Sequence, residues 1–121
     1  MKKLVVAMTI LLGLIAPSVS AEQLITHVVV VWVNDDVSDK QVSKIIEDTQ
    51  VLRSINVVQD LKVGRAVESE RASVDDSFSF ALAVTFKNNA DMQAYIIDET
   101  HIAYVKSAIK PVMKKIVVYD F

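Results

Sequence analysis

The sequence predicts an α+β domain, an antiparallel sheet with helices on one face, in the chain order β-α-β-β-α-β. Three observations predict it. Residues 24–33 and 78–86 are runs of β-branched and aromatic residues, the composition of strands. Residues 38–53 and 101–109 carry apolar residues at helical spacing. Two weaker strand patterns, 57–67 and 116–121, fall where they complete a split βαβ order.

The first strand, Leu24 to Val33, is apolar on both alternating sets. One set holds Leu24, Thr26, Val28, Val30 and Trp32; the other holds Ile25, His27, Val29, Val31 and Val33. A strand apolar on both faces must be covered on both. Asn34-Asp35-Asp36 forms a turn. Ser38 then caps a helix, with Gln41 as capping-box partner and Val37 and Val42 as a hydrophobic staple. Val42, Ile45, Ile46, Thr49 and Leu52 form its inner stripe, so the helix is expected over 38–53. The second strand, 57–67, is more polar, and Gly64 marks an expected bulge. A polar loop, 68–76, leads to the third strand. There Phe78, Phe80, Leu82, Val84 and Phe86 alternate with Ser79, Ala81, Ala83 and Thr85, one bulky face against one flat face. Asn88 or Asn89 caps a short helix running to Ile97. Asp98-Glu99-Thr100 breaks it, His101 to Ile109 resumes it, and Pro111 closes it before the last strand.

This order is the ferredoxin-like βαββαβ fold with an antiparallel sheet. Its helices cover one face only. The other face then presents Val28, Val30 and Trp32 of the first strand beside the small Ala81 and Ala83 of the third. Apolar burial is worth about 25 cal/mol per Å², so a second sheet packed on this face is strongly favoured. A homodimer closing a dimeric α/β-barrel is the expected assembly.

The chain of 121 residues fits a single domain, and its 52% hydrophobic content excludes a disordered chain. There is no Cys, which removes disulfides, thiolate metal sites and a cysteine nucleophile. Lys2 and Lys3, the apolar run from Leu4 to Ile15, and Val19-Ser20-Ala21 are the three parts of a secretory signal peptide over 1–21, with a domain over 22–121. The run is roughly 12 residues where a bilayer span takes about 20, so no stable membrane insertion is expected after cleavage. The address is periplasmic or secreted. The net charge of −2 includes the two leader lysines, and an acidic domain gives nucleic acid no electrostatic footprint.

The chain resembles the stress-responsive α/β-barrel (Dabb) family. The likeness runs through Thr26-His27 and the valine-rich strand, Leu61-Lys62-Val63-Gly64-Arg65, Ala83-Val84-Thr85-Phe86, Ala94-Tyr95-Ile96-Ile97, His101 and Val117-Val118-Tyr119-Asp120-Phe121. The resemblance implies a ferredoxin-like protomer paired into a dimeric barrel. Most members have no assigned reaction. One group, the plant polyketide cyclase that closes olivetolic acid, binds and deprotonates its substrate with histidines and a tyrosine in a pocket between sheet and helices. His27, Tyr95 and His101 match that pocket. Phe80 stands where the family's pocket has a further histidine, which makes the pocket more apolar.

His27, Phe80, Tyr95 and His101 are therefore the candidate ligand pocket, for a small apolar or aromatic molecule. His27, Tyr95 and His101 are the candidate catalytic groups. The resemblance implies His101 as general base, Tyr95 as donor to a substrate oxygen and His27 as assistant. Histidine exchanges protons near neutral pH, and a phenol can donate to a carbonyl or enolate oxygen. Two other readings stand beside binding: a cofactor-independent cyclase or lyase, and a structural or interaction protein with a filled core. No cofactor or metal is expected, since the histidines and nearby Asp98 and Glu99 lack a recognised ligand spacing.

Overall fold

The structure, a computed structural model, describes residues 2–3, 12–15 and 23–121. The expected signal peptide over 1–21 and its cleavage point lie mostly outside the described residues. Of its described part, Leu12, Leu14 and Ile15 are exposed.

The chain runs β1 (Ile25–Val33), α1 (Asp39–Asp48), a 3-10 turn (Thr49–Ser54), β2 (Asp60–Arg65), β3 (Phe80–Phe86), α2 (Asn89–Ile96), α3 (Glu99–Tyr104), a π-turn (Val105–Ile109) and β4 (Met113–Asp120). The sheet order is β2-β3-β1-β4, with every pairing antiparallel. This is the expected ferredoxin-like α+β fold.

The alternation in β1 and β3 sets the two faces. His27, Val29 and Val31 of β1 are buried on the helix side, and so are Phe80, Leu82, Val84 and Phe86 of β3. Val42 and Ile45 of α1, Leu52 of the 3-10 turn and Leu61 of β2 complete the core. Each fully buried side chain of this size contributes about 1.5–3 kcal/mol. Ser38 caps α1 as its sequence predicts: its hydroxyl accepts from the Gln41 N–H, and the Gln41 side chain accepts from the Ser38 N–H.

Four local expectations are corrected. The helix expected over 38–53 is α-helical only to Asp48 and then tightens, where the buried Thr49 hydroxyl donates to the Ile45 carbonyl at 2.7 Å. The second strand is shorter than 57–67, spanning Asp60–Arg65: before it the Val58 N–H donates to the Ile55 carbonyl in a turn, and its ladder with β3 ends where Arg65 pairs with Phe80. Gly64 makes no bulge and pairs with Ala81 in continuous register; the irregularity lies instead between Trp32 and Val33, where β1 meets β4. The last strand starts at Met113, three residues before the expected Ile116, because Trp32 and Val33 offer it partners beyond the apolar run.

The face away from the helices carries all five residues expected at a dimer interface. Val28 pairs with Ala83 and Val30 with Ala81, and Trp32 lies opposite Lys115. Val117 and Tyr119 of β4 extend the same apolar surface, since they pair with Val30 and Val28. Trp32 is also engaged within its own chain. Its indole N–H donates to the Ser77 hydroxyl at 3.0 Å, and the Lys115 ammonium lies 4.6 Å from its ring centre. Among the described residues no helix is long and apolar enough to cross a membrane.

Candidate active site

The site begins at the register between β1 and β4. His27 pairs with Asp120 across the strands, and both side chains project to the helix side. Their atoms meet: His27 Nδ1 lies 2.5 Å from Asp120 Oδ1. A carboxylate only accepts, so Nδ1 donates, and in the neutral ring Nε2 is the acceptor. His27 is buried, while the Asp120 side chain is 44% exposed. The carboxylate thus orients the ring from the solvent side.

Helix α2 supplies the tyrosine. Asn88 caps its start by accepting from the Asp91 N–H, and Tyr95 lies in its last turn, 1% exposed. The phenol ring contacts both histidines, with centroids 5.9 Å from His27 and 4.4 Å from His101, and rests on Phe86 at 4.9 Å. Burial, with a smaller contribution from neighbouring Tyr104, pushes its hydroxyl well above the usual phenol range. The shift favours the neutral phenol, which can donate a hydrogen bond.

The break between α2 and α3 delivers the second histidine. Asp98 stops α2 and caps α3, accepting from the Thr100 N–H at 2.8 Å. His101, in the first turn of α3, turns back so that Nδ1 donates to the Ile96 carbonyl at 3.0 Å. That carbonyl is one of the unpaired groups at a helix C-terminus, and the imidazole satisfies it. The bond leaves Nε2 as the basic nitrogen here too. Burial lowers the His101 value from its ordinary 6.5; the Ile96 bond opposes this, and His27 adds to the lowering.

These three side chains line one cavity of about 220 Å³ between sheet and helices. Val29 and Leu82 form its floor, Ile116 and Val118 its β4 side, and Ile96, Tyr104, Val105 and Ile109 its helical side. Ile116 and Val118 are 40% and 45% exposed, which places the mouth along β4. Among the described residues no group of three or more His, Cys, Asp or Glu converges on a cation position.

The structure brings His27, Tyr95 and His101 together. Phe80 is corrected: it is fully buried and does not line the cavity. It pairs with Val31, four residues along β1 from His27, which at about 3.3 Å per residue is roughly 13 Å away. Leu82 holds the third-strand position in the wall instead. The residue that sequence reasoning missed is Asp120. Its signal was present: Ile116, Val118 and Asp120 form one alternating set, so Asp120 shares the face of an apolar row.

A larger open groove of about 760 Å³ runs on the outer surface between α1 and α3. It contains neither histidine nor Tyr95, so size alone does not select the site.

The sequence profile of the family described as Stress responsive A/B Barrel Domain (Dabb) matches residues 25–121. No curated protein matches the chain. Among solved structures, the hydroxynitrile lyase of Passiflora edulis is similar, at 25% identity and a TM-score of 0.72, over 83% of this chain and 93% of that one. A Dabb family protein with a ferredoxin-like fold from Mesorhizobium loti is 20% identical, with a TM-score of 0.67 over 81% of this chain and 94% of that one. A dimeric ferredoxin-like protein of unknown function from Thermobifida fusca is 22% identical, with a TM-score of 0.67 over 81% of this chain and 89% of that one. The last two likenesses concern the fold alone.

Proposed function

The chain belongs to the stress-responsive A/B barrel (Dabb) family, and from that premise we propose that it is an exported homodimeric lyase acting by acid–base chemistry on a small, largely apolar substrate. One observation carries the reading: His27, Tyr95 and His101 converge on a single cavity, and Asp120 holds His27 from behind. The likeness to a hydroxynitrile lyase supports the reaction class. Half-buried apolar residues on the open sheet face, with the exposed Tyr119 beside them, and dimeric neighbours support the homodimer.

The substrate class is an alcohol beside a cleavable carbon–carbon bond, a cyanohydrin or an aldol-type adduct. A cavity of about 150 Å³ takes a benzene ring, so about 220 Å³ suits one ring with a short substituent. The Tyr95 hydroxyl donates to the substrate oxygen. His27 Nε2 takes the hydroxyl proton, and Asp120 stabilises the imidazolium that forms. The O–H electron pair becomes the carbonyl π bond as the carbon–carbon bond breaks. The pair from that bond leaves with cyanide or an enolate carbon, which then takes the proton from His27. His101, held by its Nδ1–H on the Ile96 carbonyl, packs against the Tyr95 ring and positions the phenol. The base role goes to His27 rather than His101 because only His27 has a carboxylate behind it.

The test is benzaldehyde release from benzaldehyde cyanohydrin, followed by absorbance. Release above the buffer rate is expected, with losses of about 10²–10⁴-fold in His27→Asn. Tight binding of the cyanohydrin with no release from it or from a β-hydroxy ketone supports the second reading, a carrier for small apolar molecules. The mostly aliphatic wall favours that alternative. Export is tested separately: protein recovered from the periplasm should begin at Glu22.

A further inference from the structure

Tyr104 is the one residue that lines both the 220 Å³ cavity and the 760 Å³ outer groove, among the described residues. It is 6% exposed and borders both spaces. The hydroxyl is tethered. Thr49 spends its own proton on the Ile45 carbonyl at 2.7 Å, so Tyr104 is the donor in the 2.6 Å bond between the two hydroxyls. Ile45 itself lines the groove, so the tether runs along the groove side of the wall.

The chain just after Tyr104 is irregular and borders the same two spaces. Val105 to Ile109 forms a π-turn, closed by the Lys110 N–H donating to the Val105 carbonyl at 2.9 Å. Such turns are uncommon and concentrate at functional sites. Here the wider turn sends Val105 and Ile109 to the cavity and Ser107 and Ala108 to the groove. The segment thus lines the two volumes with different residues, and Tyr104 lines both.

We propose that Tyr104 is the specificity residue that sets the length of substrate the cavity accepts, confining it to a single ring with a short tail. The proposal rests on the reading that the cavity is the substrate site. With the ring removed, cavity and groove join, and a tail extending past α3 has somewhere to go.

The experiment is calorimetric binding of a 4-alkylphenol series, from methyl to octyl, to the full-length mature protein. Each methylene that fits raises affinity about fourfold. In the wild type the rise stops at about two to three carbons, the space left beside one ring. In Tyr104→Ala the rise continues for several carbons more. Tyr104→Leu keeps more apolar volume, guards against failure to fold, and is expected to shift the limit less. Ala103→Trp, which fills the groove beside the wall, added to Tyr104→Leu restores the wild-type limit. A limit unchanged in both Tyr104 variants, with wild-type binding intact, overturns the wall alone. Absence of phenol binding to the wild type overturns the cavity reading and this inference together.

Discussion

On the helix side of the sheet, the two flanks of β1 are built from similar residues and reach opposite states. On the β3 flank, Val84 and Phe80 are fully buried and Leu82 is 4% exposed. On the β4 flank, Ile116 and Val118 are 40% and 45% exposed. Both sets face the same way, since Val31 pairs with Phe80 on one side and Ile116 on the other. The difference is in the layer above. The 3-10 turn packs on β2, and α2 packs on β1 and β3. Over β4 the helical layer stands off, and Val105 and Ile109 of the π-turn line a cavity together with Ile116 and Val118. Alternation decides which face a residue occupies; the helix layer decides whether that face is core or cavity. The candidate chemistry sits at the boundary, where His27 is buried but Asp120 still reaches solvent.

The largest effect expected from breaking this contrast is in the packed flank. Phe80→Ala removes a fully buried ring that the cavity does not use, and should cost about 3–5 kcal/mol in urea unfolding while leaving ligand binding intact in the folded fraction. A loss under about 1 kcal/mol there means the flank is not close-packed.

The open face is tested next. Val30→Asp places a charge among Val117, Ala81 and their neighbours. It should turn the dimer into monomers by light scattering, because an unpaired charge cannot be desolvated at that position. A variant that stays dimeric shows that another surface mediates pairing.

A matched pair then compares the two flanks directly. Val84→Ala and Val118→Ala delete the same atoms. The first should cost about 2 kcal/mol, transfer plus cavity, and the second less than about 1 kcal/mol, since its side chain already borders solvent and empty space. Equal losses would contradict the distinction between core and cavity wall.

The smallest effect is a pH dependence. His101 has a folded value below 6.5, so the unfolded chain binds its proton first. Stability is then full above about pH 6.5 and falls as the pH drops from there through the folded value. His101→Gln should flatten that part of the profile; an unchanged slope between pH 5 and 7 assigns the effect elsewhere.

Much of this architecture was readable because it depends on local rules. The capping box at Ser38 and Gln41 and the alternation of β3 involve neighbours within a few residues, and both appear as expected. His27, Tyr95 and His101 were legible as candidates because histidine and a helix-borne tyrosine are few in this chain and match a family pattern. Asp120 was harder, because its role depends on strand register over 93 residues of separation. Phe80 was misplaced for the same reason: its side chain points to the correct face but lies two pairs too far along the sheet. Tyr104 gave no distinguishing signal, since a tyrosine in a helical stripe looks the same whether it fills a core or borders two cavities.

By itself, then, the sequence determined the element order, the two faces of the sheet, the apolar surface that asks for a partner, and the residue types available for proton transfer. These follow from side-chain periodicity and local backbone chemistry. Tertiary structure alone decided that Asp120 backs His27, that the break after α2 turns His101 toward Tyr95, and that Tyr104 borders two volumes. Each of these depends on where distant segments cross, and a few ångströms of register or helix placement separate a filled core from a reactive cavity.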